Sequence, residues 1–444
     1  MITVWIAITA IIFSLITSGV KKLIEHNPTE MDSSGSYIAL QPVIHAFFLA
    51  GIAYIALSLR MHNFMIKAET GDYKSFLYPW YQFILENGGF SALKFGFSNY
   101  SPPYLYLLAF SAKFFGLNSG PYLPIKIIPI GFDMLNAFLV YRLIQKKYPK
   151  GFAPVFGVFV FLFAPTVLFN SAYWGQADAI YTSGLLACLL FLINEKEFPA
   201  FICYGFALAI KLQAIFLLPF LIILLLYRKV SWKSFLLIPG VYFLSILPVL
   251  WIGRPLMDVL GIYFKQADTY KRLSLNAPTL YAWVPNSLYE ICLPLGLIIA
   301  FVIISGLIIL IYRQKIEIGK DQLIALAFYS LLITPFLLPK MHERYFYPAD
   351  VLAIILAFTS PRLFFVPVIM VSVSFFSCFQ YLFKTVVINI PTLALILLGL
   401  IMYLILRWKS VLNIEHQKQD GIKKIIQIFS GKRSLIKGIG KSTR

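Results

Sequence analysis

Long apolar runs broken by short polar stretches recur along the chain. A run of roughly 20 apolar residues matches the hydrocarbon thickness of a bilayer when helical. The runs read this way are Ile2–Val20, Pro42–Leu59, Pro121–Ile144, Ala153–Asn170, Ala179–Ile193, Phe198–Ile210 and Ala214–Tyr227. They continue with Ser234–Trp251, Leu288–Tyr312, Leu323–Leu338, Tyr347–Phe358, Phe364–Phe383 and Ile388–Leu406. The pattern predicts an all-α polytopic membrane protein with about 13 transmembrane helices. Ile2–Val20 has no basic residue ahead of it and Lys21 and Lys22 behind it, so it reads as a span with its basic end inside rather than a signal peptide.

The longest polar interval, Arg60 to Gly120, contains one further apolar run, Pro102–Phe115. It is short, opens on two prolines and carries Lys113, which predicts an interfacial helix rather than a span. That choice also satisfies the charge rule. With Pro102–Phe115 on the surface, Lys146, Lys147 and Lys150 fall inside. So do Arg228, Lys229 and Lys233, then Arg313, Lys315 and Lys320, and finally the tail after Arg407. Three loops then face the other side: Arg60–Gly120, Gly253–Ser287 and Pro339–Arg344.

Composition agrees with a lipid solvent. Hydrophobic residues make up 59% and charged residues 13%, and the mean hydropathy is +0.80, whereas a soluble domain is roughly half apolar and a quarter charged. The net charge of +19 is spread between apolar runs and over the tail, where it sets topology and meets anionic headgroups. No basic patch belongs to a soluble nucleic-acid-binding fold, so nucleic acid is excluded as a partner and membrane lipids are expected. The tail is basic and carries an amphipathic set (Ile422, Ile425, Ile426, Ile428, Phe429) suited to an anionic lipid surface. Cys188, Cys203, Cys292 and Cys378 have no CxxC spacing and read as small apolar side chains.

Acidic side chains near a membrane boundary are costly and are functional candidates by default. Those on the outer side are Glu69, Asp72, Glu86, Asp178, Asp258, Asp268, Glu290 and Glu343. Asp72 sits among aromatic residues early in the large loop. A partly dry setting that raises its proton affinity would suit a general base, and a solvated aspartate or a helix N-cap is the plainer alternative. Trp174-Gly-Gln-Ala-Asp178 forms a tight turn between two spans, where Asp178 either caps the next helix or faces a substrate. Lys211-Leu-Gln213 interrupts an apolar stretch, with its cation free to pair with an acid, to snorkel or to bind an anionic headgroup. Lys340-Met-His-Glu-Arg-Tyr345 is the densest polar cluster between two spans. It is either a phosphate grip or an ordinary polar hairpin. Arg254, Lys271 and Arg272 in the second outer loop either assist the site or, as the plainer reading, are solvated. The chain has no Walker A, GxGxxG or GxSxG motif, and His342-Glu343 is not the HExxH of a zinc protease.

Five pieces in order carry a resemblance. They are Gly71-Asp72 with Phe76 and Trp80; Tyr100-Ser-Pro-Pro-Tyr-Leu-Tyr106; Trp174 to Asp178; Lys211-Leu-Gln213 ahead of Pro219; and Lys340 to Tyr345. Together they resemble the bacterial and archaeal membrane mannosyltransferases related to the enzyme that adds the second mannose of GPI anchors, and more broadly the GT-C superfamily of polyprenyl-phosphate-sugar-dependent glycosyltransferases. The family often writes Lys-Pro-Gln where this chain has Lys211-Leu-Gln213. The resemblance implies a GT-C fold whose large first outer loop contains juxtamembrane helices and bears the catalytic acid, Asp72. Its substrate-binding candidates are Asp178, Gln176, Lys211, Gln213, His342, Glu343, Arg344, Tyr100 and Trp174. The implied organisation is an extra N-terminal span and polar connector (1–41), a transmembrane catalytic module (42–407, with outer loops at about 60–120 and 253–287) and a basic cytoplasmic tail (408–444).

The expected reaction is an inverting transfer of a hexose, mannose first, from a polyprenyl-phosphate sugar to a lipid or lipid-linked glycan. No cofactor is expected, and no divalent cation is indicated. The expected location is the plasma (inner) membrane with the site on the outer face, or the endoplasmic reticulum in a eukaryote. Three rivals stand beside this reading. One is a lipid or sugar transporter, which would place ionisable residues or broken helices at mid-membrane, often in repeated halves. Another is a non-catalytic assembly or scaffold subunit, which has no need for Asp72, Asp178 and Lys211 in this arrangement. The third is a GT-C enzyme using glucose, galactose or arabinose.

Overall fold

A computed structural model of the protein describes residues 35–412. The expected span Ile2–Val20 and the amphipathic part of the tail lie outside the described residues. The main helices are α1 (Gly35–Met61), α2 (Tyr78–Glu86), α3 (Pro102–Ser119), α4 (Tyr122–Gln145), α5 (Ala153–Phe163), α6 (Asp178–Ile193) and α7 (Glu197–Ile210). They continue with α8 (Leu218–Leu226), α9 (Leu237–Trp251), α10 (Tyr289–Arg313), α11 (Lys320–Leu337), α12 (Tyr347–Thr359), α13 (Phe365–Phe383) and α14 (Ile390–Leu406). Two short parallel strands, β1 (Ser274–Leu275) and β2 (Met341–His342), complete the set.

All twelve apolar runs expected within residues 35–412 are helical. By length and composition, six helical segments among the described residues suffice to cross a membrane: Gln41–Met61, Tyr122–Gln145, Trp232–Trp251, Asn286–Arg313, Lys320–Leu337 and Pro361–Phe383. The expected continuous span Ala153–Asn170 is instead broken. Helix α5 stops at Phe163, Ala164 is extended, and the chain resumes at Pro165 with a bend of 55°. Proline has no N–H to donate and drives the residue before it out of the helical region, which explains the break. The run Ala214–Tyr227 is also divided, into a tight 3₁₀ stretch (Leu212–Leu217) and α8, with Pro219 in the first turn of the latter. The run in the large loop forms α3, 18 residues long and opened by two prolines at its first positions, where a missing N–H has no consequence.

The interior lies around α4, α6, α11 and α12, whose side chains are buried on nearly every face. By contrast α9 and α10 leave most of their side chains uncovered by protein, as lipid-facing helices do. Helix α4 fixes the polarity of the bundle. At its start, Tyr122 Oη donates to Glu69 of the large loop, at 2.6 Å. Just past its other end, Lys146, Lys147 and Lys320 gather, with Lys147 Nζ 2.7 Å from Asp321. The 24 residues of α4 separate these two groups by about 36 Å, at 1.5 Å per residue.

Candidate functional site

The five sequence pieces meet in one open cleft of about 1110 Å³, at the end of the bundle remote from the lysine cluster. Three local irregularities put them there. Asp72 precedes a π-helical turn, Tyr73–Leu77, that leads into α2. Trp174 closes a second π turn, Phe169–Trp174, and the chain reverses at Gly175 with φ +80°, a conformation that favours glycine. Lys211 ends α7 in an extended conformation, φ −153° and ψ 131°. The break thus forms without the proline the family often places after this lysine.

Asp72 lies in the cleft wall, and its carboxylate is held from three sides. Trp174 Nε1 donates to Oδ2 at 3.0 Å, Gln176 Nε2 donates to the same oxygen at 2.8 Å, and Tyr381 Oη donates to Oδ1 at 2.7 Å. Arg344 Nη1 stands 3.6 Å from Oδ2. The N-cap alternative fails, because the Asp72 side chain caps nothing and Thr70 Oγ1 accepts the Tyr73 N–H at 3.2 Å. The expected rise in proton affinity also fails. Burial does push it up, but the Arg344 charge and the hydrogen bonds from Tyr381 and Trp174 outweigh burial and leave the carboxyl below the ordinary aspartate range.

Asp178 is fully buried and does not cap α6. Lys211 Nζ reaches its Oδ1 at 2.5 Å, Asn170 Nδ2 donates to Oδ2 at 2.9 Å, and Arg344 Nε lies 3.8 Å from Oδ2. Glu343, also buried, accepts from Arg344 Nη1 at 2.9 Å. The guanidinium therefore sits among three carboxylates. Burial works against its charge, but Asp72, Glu343 and Asp178 hold its pKa well above the usual value. Its plane lies over the Trp174 ring at 5.1 Å, and its Nε has no hydrogen-bond partner. His342 is pushed toward the neutral form, first by burial and then by Arg344.

The loop that carries these last residues is clamped by the second large loop. Strand β1 pairs with β2, Lys340 N donates to Leu273 O at 2.7 Å, and Glu343 N donates to Leu275 O at 3.1 Å. Lys340 lines the cleft and donates to Tyr289 Oη at 2.7 Å.

Of the residues expected at the site, Asp72, Tyr100, Gln176, Lys211, Gln213, His342 and Arg344 line the cleft. Trp174, Asp178 and Glu343 stand behind the wall and hold the lining residues. Gln213 Oε1 and Asn99 Oδ1 are buried at the cleft with no hydrogen-bond partner, as acceptors awaiting a hydroxyl-bearing ligand would be. Glu69, Asp258 and Glu290 do not join the cluster. Arg254, read as solvated, is buried against Asp258, Nε to Oδ2 at 3.1 Å.

Two groups escaped the sequence reading. Tyr381, near the end of α13, completes the Asp72 cradle from 309 residues away. Lys126, inside α4, is fully buried, and its Nζ donates to the carbonyls of Met65 (3.0 Å), Ala68 (2.8 Å) and Tyr173 (2.8 Å). It thereby joins the segment ahead of Asp72 to the turn that presents Trp174. A lysine inside an apolar run was the available signal for it.

The chain matches no family model and no curated protein sequence. Among solved structures it resembles the crystal structure of ArnT from Cupriavidus metallidurans bound to undecaprenyl phosphate. The identity is 12%, the TM-score 0.50, and the likeness covers 79% of this chain and 74% of that one. A likeness at that identity is one of fold, and it agrees with the bundle and its loop-built cleft: the protein has a multi-pass, all-α membrane fold of the GT-C type.

Proposed function

We propose that the protein is an inverting glycosyltransferase that moves a hexose, mannose first, from a polyprenyl-phosphate sugar to a hydroxyl of a lipid or lipid-linked glycan. The solved structure it resembles was determined with undecaprenyl phosphate bound, which supports a prenyl-phosphate donor. The observation that carries the reading is a half-buried aspartate, its pKa held down by Arg344 and by hydrogen bonds, in the wall of a cleft that also presents Arg344 and Lys211.

The hydrogen bonds select the reacting oxygen. An ionised carboxylate offers about two acceptor positions on each oxygen. Trp174 and Gln176 fill those of Oδ2, while Tyr381 takes one on Oδ1 and leaves one open. Oδ1 accepts the acceptor's hydroxyl proton as that oxygen attacks C1 of the donor sugar. The bond from C1 to the phosphate oxygen breaks on the opposite face, and the configuration at C1 inverts. Because the carboxylate is a weak base, proton transfer accompanies bond formation rather than preceding it. The departing phosphate gathers negative charge, which the Arg344 guanidinium at the cleft wall is suited to meet. Lys211 and Lys340 supply further positive charge at the wall. Asp178 and Glu343 position the two main cations and keep them from repelling one another. Tyr100, Gln176, Gln213 and His342 are placed to meet hydroxyls. The positive-inside pattern puts the lysine cluster in the cytoplasm and the cleft on the other face of the membrane.

The transporter reading loses ground here. Charges do occur within the bundle, contrary to a placement only at span ends. But Arg60 and Asp133 are fully buried against each other at 2.9 Å, and Lys126 is held by backbone carbonyls.

The test is sugar transfer by the purified, lipid-reconstituted protein, with a panel of radiolabelled polyprenyl-phosphate sugars and a native lipid extract. Asp72→Asn keeps the shape and removes the base, so transfer should fall about 10²–10⁴-fold while the melting temperature is maintained. Equal transfer by both proteins would take Asp72 out of the mechanism. Donor binding or flipping with no transfer would favour a transporter.

A further inference from the structure

The second large loop was expected to be solvated, yet two short helices in it, Leu256–Leu260 and Ile262–Asp268, have two unlike faces. One face builds the cleft. Tyr263 and Gln266 line it; Tyr263 Oη donates to Leu208 O at 2.6 Å, and Gln266 Nε2 donates to Asn99 O. The other face is apolar and uncovered, with Met257 80% and Phe264 78% exposed. These two follow directly on Trp251, 91% exposed at the end of α9. Helix α9 itself buries only Ile246 and Val249, so its uncovered surface is in lipid, and the two short helices follow it closely in the chain. Lys265, whose Nζ lies 2.6 Å from Asp258, and Lys271 are exposed in the same loop. Bulky apolar side chains edged by basic ones are the composition of a segment lying at the boundary between acyl chains and phosphate headgroups.

We infer that residues 256–268 are seated in the lipid leaflet on the cleft's side of the membrane, with Met257 and Phe264 among the acyl chains. The segment is then a wall with lipid on one side and the reacting groups on the other. Resting on the glycosyltransferase reading, the inference extends to the donor: its prenyl chain leaves the cleft along the Phe264 edge, while its phosphate stays inside with Arg344.

The first test needs no activity. Met257→Cys, Phe264→Cys and, as a water-side control, Lys271→Cys are spin-labelled in lipid nanodiscs. The wild type, whose four cysteines are buried or half-buried, sets the labelling background. Collision with oxygen should exceed collision with a water-soluble nickel complex at 257 and 264, and the reverse should hold at 271. Nickel access at 257 and 264 equal to that at 271 would overturn the lipid seating, whatever the protein's activity. The second test compares Phe264→Leu with Phe264→Asp, using a long-chain donor and a two-isoprene, water-soluble donor of the same sugar. Phe264→Asp should raise KM for the long-chain donor about tenfold and leave the short one unchanged. An equal rise for both would overturn the chain route while leaving the seating to the spin labels.

Discussion

At the scale of single residues, Asp72 shows how a carboxylate's pKa is lowered although burial works to raise it. Three hydrogen bonds and one guanidinium oppose the loss of water, and together they win. The depressed pKa fixes the sign of the pH dependence. As the proposed base, Asp72 would be competent above its pKa, and transfer should be lost as the pH falls through it. Tyr381→Phe removes the 2.7 Å donor to Oδ1 without removing the ring that stacks on Trp174. The carboxyl then binds its proton more readily, so the acidic limb of kcat/KM against pH should move to higher pH, by about one unit for a hydrogen bond to a charged group of about 1.5 kcal/mol. An unmoved limb would mean that Asp72 is not the titrating group. Asp72, Gln176 and Arg344 were legible because each lies in a short polar break between apolar runs, where charge and tight turns are conspicuous. Tyr381 was not, since a tyrosine at the end of an apolar run is ordinary and its partner is chosen only by packing.

At the scale of elements, the apolar periodicity located the helices and missed what happens between them. The π turns at Tyr73–Leu77 and Phe169–Trp174, the extended Lys211 and the pairing of β1 with β2 all serve the cleft. None carries a period that a hydrophobic pattern could reveal, and the strand pairing joins segments remote in sequence. The break at Ala164–Pro165 was readable from its proline and was overridden by the apolar run around it. The contact between the Asp72 segment and α13 is tight enough to test. A Cβ on Gly71 would lie 3.2 Å from Tyr381 Oη, so Gly71→Ala should push the phenol from Asp72 and reduce kcat about tenfold, the effect of losing a hydrogen bond of about 1.5 kcal/mol. If that contact is the cause, the loss should not add to that of Tyr381→Phe, and the double variant should match the single Tyr381→Phe in kcat. Simple multiplication of the two losses would place the Gly71 effect elsewhere.

At the scale of the whole molecule, the membrane class was legible from runs and charges, as were the polar loops that build the cleft, while the buried ionic core was not. Asp133 and Asp350 fall in apolar runs, where their neighbours outweigh them in any average. Arg60 reads as the start of a loop, yet it is fully buried. It donates to Asp133 at 2.9 Å, to Ala56 O at 3.2 Å and to Leu162 O at 3.0 Å. Asp133 also accepts from Ser171 at 2.5 Å and Tyr347 at 3.3 Å. This pair therefore joins α1, α4, α5 and α12 below the cleft. A buried pair adds little over an apolar replacement, because both charges have lost their water, but removing one partner strands the other. Arg60→Met should thus cost about 3–5 kcal/mol, read as a fall in melting temperature in lipid nanodiscs. Arg60→Met with Asp133→Leu should recover much of it. Transfer per folded molecule should be nearly unchanged in the double variant, since neither side chain lines the cleft. A double variant that is as unstable as the single one would mean that the two charges do more than neutralise each other. One that folds normally but loses transfer would make this pair part of the working site and reopen the case for ions moving through the bundle.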